Sequence, residues 1–204
     1  IHARGDSNRI QGVQVSSNGE AGISAGPNGT ISDCTAFGNA GNGIRAGNGS
    51  TIRGCSASSN GDNGISAESG ATISDCTASG NGSTGIGAGF GCTISDCTTR
   101  TNGSDGFLAL DSSTIDGCSA YENDAVGIST GGGSIVTSCT AGKNKRAGIN
   151  TSISCRVVGC HCYQNGDDHP EGAGIQASDG SHIEGNTVAY NERGIYTTSG
   201  TSGI

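Results

Sequence analysis

Tryptophan and methionine are absent from this chain of 204 residues, phenylalanine occurs three times, and charged residues make up only 14%. So few large apolar groups leave two readings: a disordered low-complexity chain, or a repeat fold in which small residues stack in register. Positive charge is also scarce. The net charge of −8 excludes binding along a phosphate backbone, which needs a basic stripe, so no nucleic-acid partner is expected. No apolar run reaches membrane-spanning length, and membrane insertion is not expected. The sequence contains no signal-peptide pattern and begins with Ile rather than Met, as expected of a mature product whose export history it does not record. What the chain has in quantity is glycine, with 39 residues, and cysteine, with ten.

The periodicity decides between the two readings. Stepping by 21 from Ile10 reaches Ile31, Ile52, Ile73, Ile94, Ile115, Val136 and Val157. Cys34 begins a second column with the same step, ending at Cys160, and Asn18 a third, unbroken to Asn165. Gly-Ile or Gly-Phe recurs from Gly22-Ile23 to Gly148-Ile149 and resumes, after a five-residue insertion, at Gly174-Ile175. Gly203-Ile204 looks like the start of another rung, so the solenoid is expected either to continue or to be closed by a neighbour. The whole chain, 1–204, therefore reads as a single repeat domain.

Each repeat holds three short alternating stretches, the mark of strands. In one rung these are Ile65-Ser66-Ala67, Thr72-Ile73-Ser74 and Cys76-Thr77-Ala78. Period two turns Ile65, Ala67, Ile73, Cys76 and Ala78 inward and Ser66, Thr72, Ser74 and Thr77 outward. The parity change places a bend at Asp75, and Gly, Asn, Asp and Ser fill the corners. Three strands per 21 residues, each pairing with its copy about 4.8 Å away, coil into an all-β right-handed parallel β-helix of about nine rungs. The Asn column predicts a ladder of side-chain amides along the axis.

Rungs of the form Gly-x-Thr-Ile-Ser-Asp-Cys-Thr-Ala-x-x-Asn, and the stretch Arg156 to Tyr196, resemble the pectin-lyase-like superfamily of right-handed β-helices, in particular the repeat-rich bacterial group. That superfamily includes lyases, hydrolases, epimerases, phage tailspikes and adhesins, so the resemblance specifies a fold and leaves the activity open. In the superfamily the short turn after the second strand often carries an Asn ladder. Here that place is Cys in seven rungs and Asn only at Asn186.

Those seven cysteines form an inward column whose parallel side-chain directions disfavour disulfides, so they read as small apolar filling. Cys92 and Cys155 fall near turns and are expected to be exposed. Cys160-His161-Cys162 looks like a metal site, but alternation sends both sulfurs inward and the imidazole outward, so no metal site is expected there.

Lyases and hydrolases of the resembled superfamily work on the outer face of the first strand, with acids, a cation or a metal. In this chain that column reads Ser24, Arg45, Ser66, Gly87, Leu108, Ser129, Asn150, Gln176 and Tyr196, with no carboxylate. A calcium-assisted lyase needs several acids beside a basic residue, so no cofactor is expected and calcium is not indicated. The early rungs are near copies of one another and read as scaffold. Divergence is confined to the last three rungs, where Arg156, His161, His169 and His182 are candidate catalytic residues. Asp167, Asp168, Glu171 and Tyr196 are candidate ligand-binding residues. Alginate epimerases of this fold carry an Asp-Pro-His-Glu-like motif, and Asp168-His169-Pro170-Glu171 has a different order. Glu122 with Lys143, Asp124 with Lys145, and Arg146 with Asp167 share columns and are expected to form surface ion pairs.

A second regular surface is the outward column Thr30, Thr51, Thr72, Thr93 and Thr114, flanked by Ser32, Arg53, Ser74, Ser95 and Asp116. Three functions follow as expectations. The first is a non-catalytic extracellular or cell-surface module that is structural or binds a polysaccharide or other glycan. The second is a polysaccharide lyase or epimerase acting on its C-terminal rungs. The third is an ice-binding solenoid.

Overall fold

In a computed structural model of the chain, residues 1–166 and 172–197 are described. Among them lie 28 strands and no helix, mostly of three residues each. Every pairing is parallel and joins a strand to its counterpart one rung away, as in Ile44↔Ile65↔Ile86, Ile52↔Ile73↔Ile94 and Ala57↔Ala78↔Thr99. Three sheets result, of ten, nine and nine strands. The tenth strand of the first sheet is His2–Ala3, which pairs with Ser24–Ala25 and places His2 at the head of the outward column.

The inward columns close the core without aromatics except at Phe107, which is fully buried between Ile86 and Ile128. Ile on Ile and Ala on Ala keep adjacent rungs in van der Waals contact, which a column of mixed sizes would not. Each rung turns three corners, and most hold one residue in the left-handed region. Asn28, Gly49 and Gly70 serve the first corner, Asp33, Gly54 and Asp75 the second, and Gly38, Ser59 and Gly80 the third. Glycine is free to adopt this conformation, and Asn and Asp adopt it at little cost.

Corners leave backbone N–H groups that the sheets do not use, and side chains from the next rung accept them. In the Asn column, the backbone N–H and the Nδ2 of Asn60 both donate to Oδ1 of Asn81, at 3.0 Å each, and the pattern runs from Asn18 to Asn191. The cysteine column works in the same way. The N–H of Cys76 reaches the sulfur of Cys97, which donates in turn to carbonyl oxygens of Ser95 and Ile73. The thiols are therefore hydrogen-bonding groups and not mere apolar filling. Cys92 and Cys155, expected at the surface, are buried and belong to a third ladder. The N–H of Cys92 donates to Ser113, that of Ser113 to Ser134, and that of Cys155 to Ser181. Position near a turn did not expose them, because that corner faces inward.

The five-residue insertion shows as a change of register from 21 to 26: Arg156 pairs with His182, and Asn165 bonds to Asn191. Gly166 and Gly172 on either side of it lie against each other, leaving no room for a Cβ on either.

Candidate functional site

Of the candidates among the described residues, two come together and two lie on other faces. Arg156 and His182 are neighbours on the outer face of the second sheet, and both meet Glu184. Arg156 Nη2 is 3.6 Å and His182 Nε2 3.2 Å from Glu184 Oε2. The hydrogen bond from His182, and then the charges of His182 and Arg156, hold the Glu184 carboxyl below its ordinary range. All three side chains are exposed, so the cluster behaves as a surface ion network. His161 lies on the third sheet with its ring 5.0 Å from that of Tyr163, while Cys160 and Cys162 beside it point into the core. Tyr196 lies on the first sheet beneath the guanidinium of Arg193, at 5.0 Å. Asp167, Asp168, His169 and Glu171 fall outside the described residues.

Of the expected ion pairs, Lys145–Asp124 forms at 2.8 Å. Lys143 instead places its ammonium 5.4 Å above the ring of Tyr121, one rung away, without closing an ion pair with Glu122. Arg146 lies close enough to Asp105 to favour its charged form, and the expected partner Asp167 is outside the described residues.

The concave features lie elsewhere, in the regular half that reads from sequence as scaffold. On the outer face of the first sheet, a depression of about 440 Å³ is lined by Ser66, Glu68, Gly87, Phe90, Leu108 and Leu110. Phe90 is 55% exposed, Leu110 39% and Leu108 37%. A second hollow of about 260 Å³ continues it toward the N-terminal end, past Arg45, Ser24 and His2. Glu68 borders both hollows and meets Arg45 at 3.4 Å. The two together make a trough along the helix axis, with an apolar floor at one end and a charged pair midway.

Local sequence explains the trough. Leu108 occupies an outward column that is otherwise mostly Ser, Gly and Asn, and Leu110 and Phe90 replace small residues of the first corner. The signal was present as three large apolar residues close together, at positions where most other rungs carry small or polar ones (Ile153 in the Phe90 column is an exception). Asp111 follows Leu110 directly, and its Oδ1 accepts the N–H of Gly132 at 2.8 Å; Asp105, half-buried at the start of this sheet, accepts the N–H of Val126 at 2.9 Å. Burial holds its carboxyl above the ordinary range, with the Val126 bond and Arg146 opposing. Its role there is structural. The trough thus offers stacking and hydrogen bonding, and its one carboxylate is already paired.

Comparison with known proteins agrees with this architecture. The chain matches the family described as right handed beta helix region over residues 1–72 and 66–204. No curated protein matches it in sequence. Among solved structures it is similar to the mannuronan C-5 epimerase AlgE6 A-module of Azotobacter vinelandii, at 18% identity and a TM-score of 0.80 over 98% of this chain and 65% of that one. It is similar also to the Dettilon tailspike protein, at 13% identity and 0.66 over 98% of this chain and 56% of that one. The catalytic domain of a GH87 α-1,3-glucanase is a third, at 11% and 0.63, with 96% and 48% covered. The chain thus spans less than two thirds of each of these three structures, and at such identities the likeness is one of fold. From its matched repeats and its three parallel sheets, the chain belongs to the right handed beta helix region family.

Proposed function

We propose that this chain is a non-catalytic polysaccharide-binding β-helix acting outside the cytoplasm, with the trough on the first sheet as its binding surface. The observation that carries the reading is the exposure of Phe90, Leu108 and Leu110 in the floor of a groove edged by Ser66 and the Arg45–Glu68 pair. Sugar rings present apolar C–H faces and polar edges, and such a floor and rim suit both. The groove runs along the axis, as a polymer requires. Acid–base chemistry on a sugar needs at least two proton-transferring groups positioned on one bond; in the trough Glu68 is already neutralised by Arg45, and His2 stands three rungs away from it, about 14 Å along the axis. The mannuronan epimerase and the α-1,3-glucanase of similar fold support a carbohydrate ligand, and a further structure of similar fold, described as a periplasmic alginate epimerase, supports an extracytoplasmic site.

The test is a screen of immobilised polysaccharides for binding, with soluble products analysed for unsaturated uronates and for altered epimer composition. Binding without turnover is expected, and Phe90→Ala with Leu108→Ser should weaken it about tenfold or more. Turnover of any polysaccharide overturns the non-catalytic reading. In that case Arg156, His182 and Glu184, a cluster in mutual contact that joins an acid, a base and a cation, become the first residues to replace.

A further inference from the structure

A different face carries a second site. On the third sheet one outward column reads Thr35, Ser56, Thr77, Thr98, Ser119 and Thr140, and then His161. The column beside it reads Ser79, Arg100, Tyr121, Gly142 and Tyr163. Between them lies a hollow of about 550 Å³, lined by Ser59, Thr77, Ser79, Thr98, Arg100 and Thr101. Among the described residues the hydroxyls of Thr77, Ser79 and Thr98 bond to no protein group, and Arg100 has no ion pair.

Beyond Arg100 the same strip becomes aromatic. Three of the chain's four tyrosines stand on this sheet or its edge. Gly142 determines how one of them lies. A Cβ at that position would come within 2.5 Å of the Tyr163 Cζ and 2.8 Å of its Oη. The absence of a side chain there lets Tyr163 fold down across the sheet, beside the His161 ring at 5.0 Å and a 30° inclination. Lys143 stands over Tyr121 one rung earlier. From Ser59 to Tyr163 these features occupy consecutive rungs spaced about 4.8 Å apart, a strip of about 24 Å.

We propose that this strip binds an acidic polysaccharide laid along the helix axis. Free hydroxyls on one stretch suit sugar hydroxyls, the lying ring of Tyr163 suits a sugar face, and Arg100 and Lys143 suit carboxylates or sulfates placed between. The charge balance favours an acidic ligand over a neutral one. In a chain of net charge −8, the charged residue that lines the hollow is a cation, Arg100, and Lys143 stands farther along the strip with Glu122 at the same corner one rung before. The corner acids Asp75 and Asp96 stand two residues before Thr77 and Thr98, along the other edge of the strip, and do not line the hollow. The site shares no residue with the trough on the first sheet and stands or falls independently of it.

Because the chain has no tryptophan and Tyr196 is the one tyrosine on the first sheet, tyrosine emission measured in a Tyr196→Phe background reports on this strip. Titration with an oligogalacturonate and with a cello-oligosaccharide of equal length should quench or shift that emission for the acidic probe, with binding about tenfold or more weaker for the neutral one. Binding should weaken as salt rises. Arg100→Gln should lower the affinity about tenfold. Gly142→Val, which keeps every tyrosine but lifts Tyr163 off the sheet, should lower it similarly, while Phe90→Ala leaves it unchanged. Unaltered thermal unfolding of each variant separates these effects from misfolding. Equal binding of both probes, no binding of either, indifference to Arg100→Gln and Gly142→Val, or loss of binding in Phe90→Ala would each overturn the assignment.

Discussion

The backbone N–H of Cys76 points at the sulfur of Cys97, one rung along and 3.4 Å away. In the ninth rung the same place is taken by Asn186, whose Oδ1 accepts the N–H of Cys160 at 2.8 Å and whose Nδ2 donates to Val157 at 2.9 Å. Thiol and amide do one job at this corner: each accepts from the rung before and donates to a carbonyl. Replacing Cys97 by Ser keeps both functions, whereas Val of similar size keeps neither and orphans the buried N–H of Cys76. Urea unfolding should show Cys97→Val less stable by about 1–3 kcal/mol and Cys97→Ser by clearly less. If the two variants are equally stable, the thiols are filling only.

The same ladder sets an alkaline limit. The thiols of Cys97 and Cys118 are pushed up to about 12, first by the hydrogen bond with the following thiol and then by burial, from an ordinary 9.0. Cys160, at the end of the file, is moved the other way by its bond with Cys139. A group whose value is raised on folding holds its proton more tightly in the native state. Its stabilisation is complete below the unfolded value and is lost as pH climbs through the folded one. Stability should therefore fall between about pH 9 and pH 12, and replacing Cys97 and Cys118 by Ser should flatten that limb. A limb unchanged by the double replacement would point to other groups.

The repeat was legible because its period is exact in residue number up to the insertion, and one register places the strands, the inward columns and the Asn ladder, though not the buried corner ladder of Cys92, Ser113, Ser134 and Cys155. Ile65, Ile73, Cys76 and Ala78 lie where alternation sends them. What escaped was set by departures from the repeat inside the regular rungs. Phe90, Leu108 and Leu110 make a groove only because three neighbouring positions from two rungs converge, and Tyr163 lies flat only because Gly142 is one rung before it. Divergence at the C-terminal rungs drew attention to charged residues that the three-sided cross-section then distributes over three faces.

Asn123 tests the amide ladder. It is fully buried; its Oδ1 accepts from the backbone and side chain of Asn102, and its Nδ2 donates to Asn144 at 3.0 Å. In Asn123→Asp an ionised carboxylate would still accept from Asn102 but would face the Asn144 oxygen with no proton to give. The new carboxyl is thus driven upward, and its protonated form fits best. The stability of the variant should be greatest below the unfolded value of about 3.9 and decline as pH rises, reaching a deficit of about 3–5 kcal/mol at neutral pH. Asn123→Ala serves as the control, with a loss that does not depend on pH. A pH-independent deficit for the Asp variant would mean that water reaches the ladder.

Two glycines in neighbouring turns of one rung obey different rules, and this gives the sharpest test of the packing. Gly70 has a φ of +68° and open space around its missing side chain, so its requirement is conformational. Asn28 fills the equivalent corner two rungs earlier at φ 54°. Gly64, which precedes Ile65, is not in the left-handed region. A Cβ there would sit 2.6 Å from the Asn81 Nδ2 and 2.8 Å from both the Ala78 Cβ and the Gly85 carbonyl oxygen. Its requirement is one of space, imposed by the Asn ladder passing behind it. Gly70→Asn should therefore be close to neutral and Gly70→Ala should lose about 1–2 kcal/mol. Gly64→Ala should lose about 1–3 kcal/mol, and Gly64→Asn should lose more, not less. Chemical unfolding of the four variants decides it: an Asn that rescues position 64 as well as 70 would show that conformation, and not the crowding between rungs, selects glycine at both.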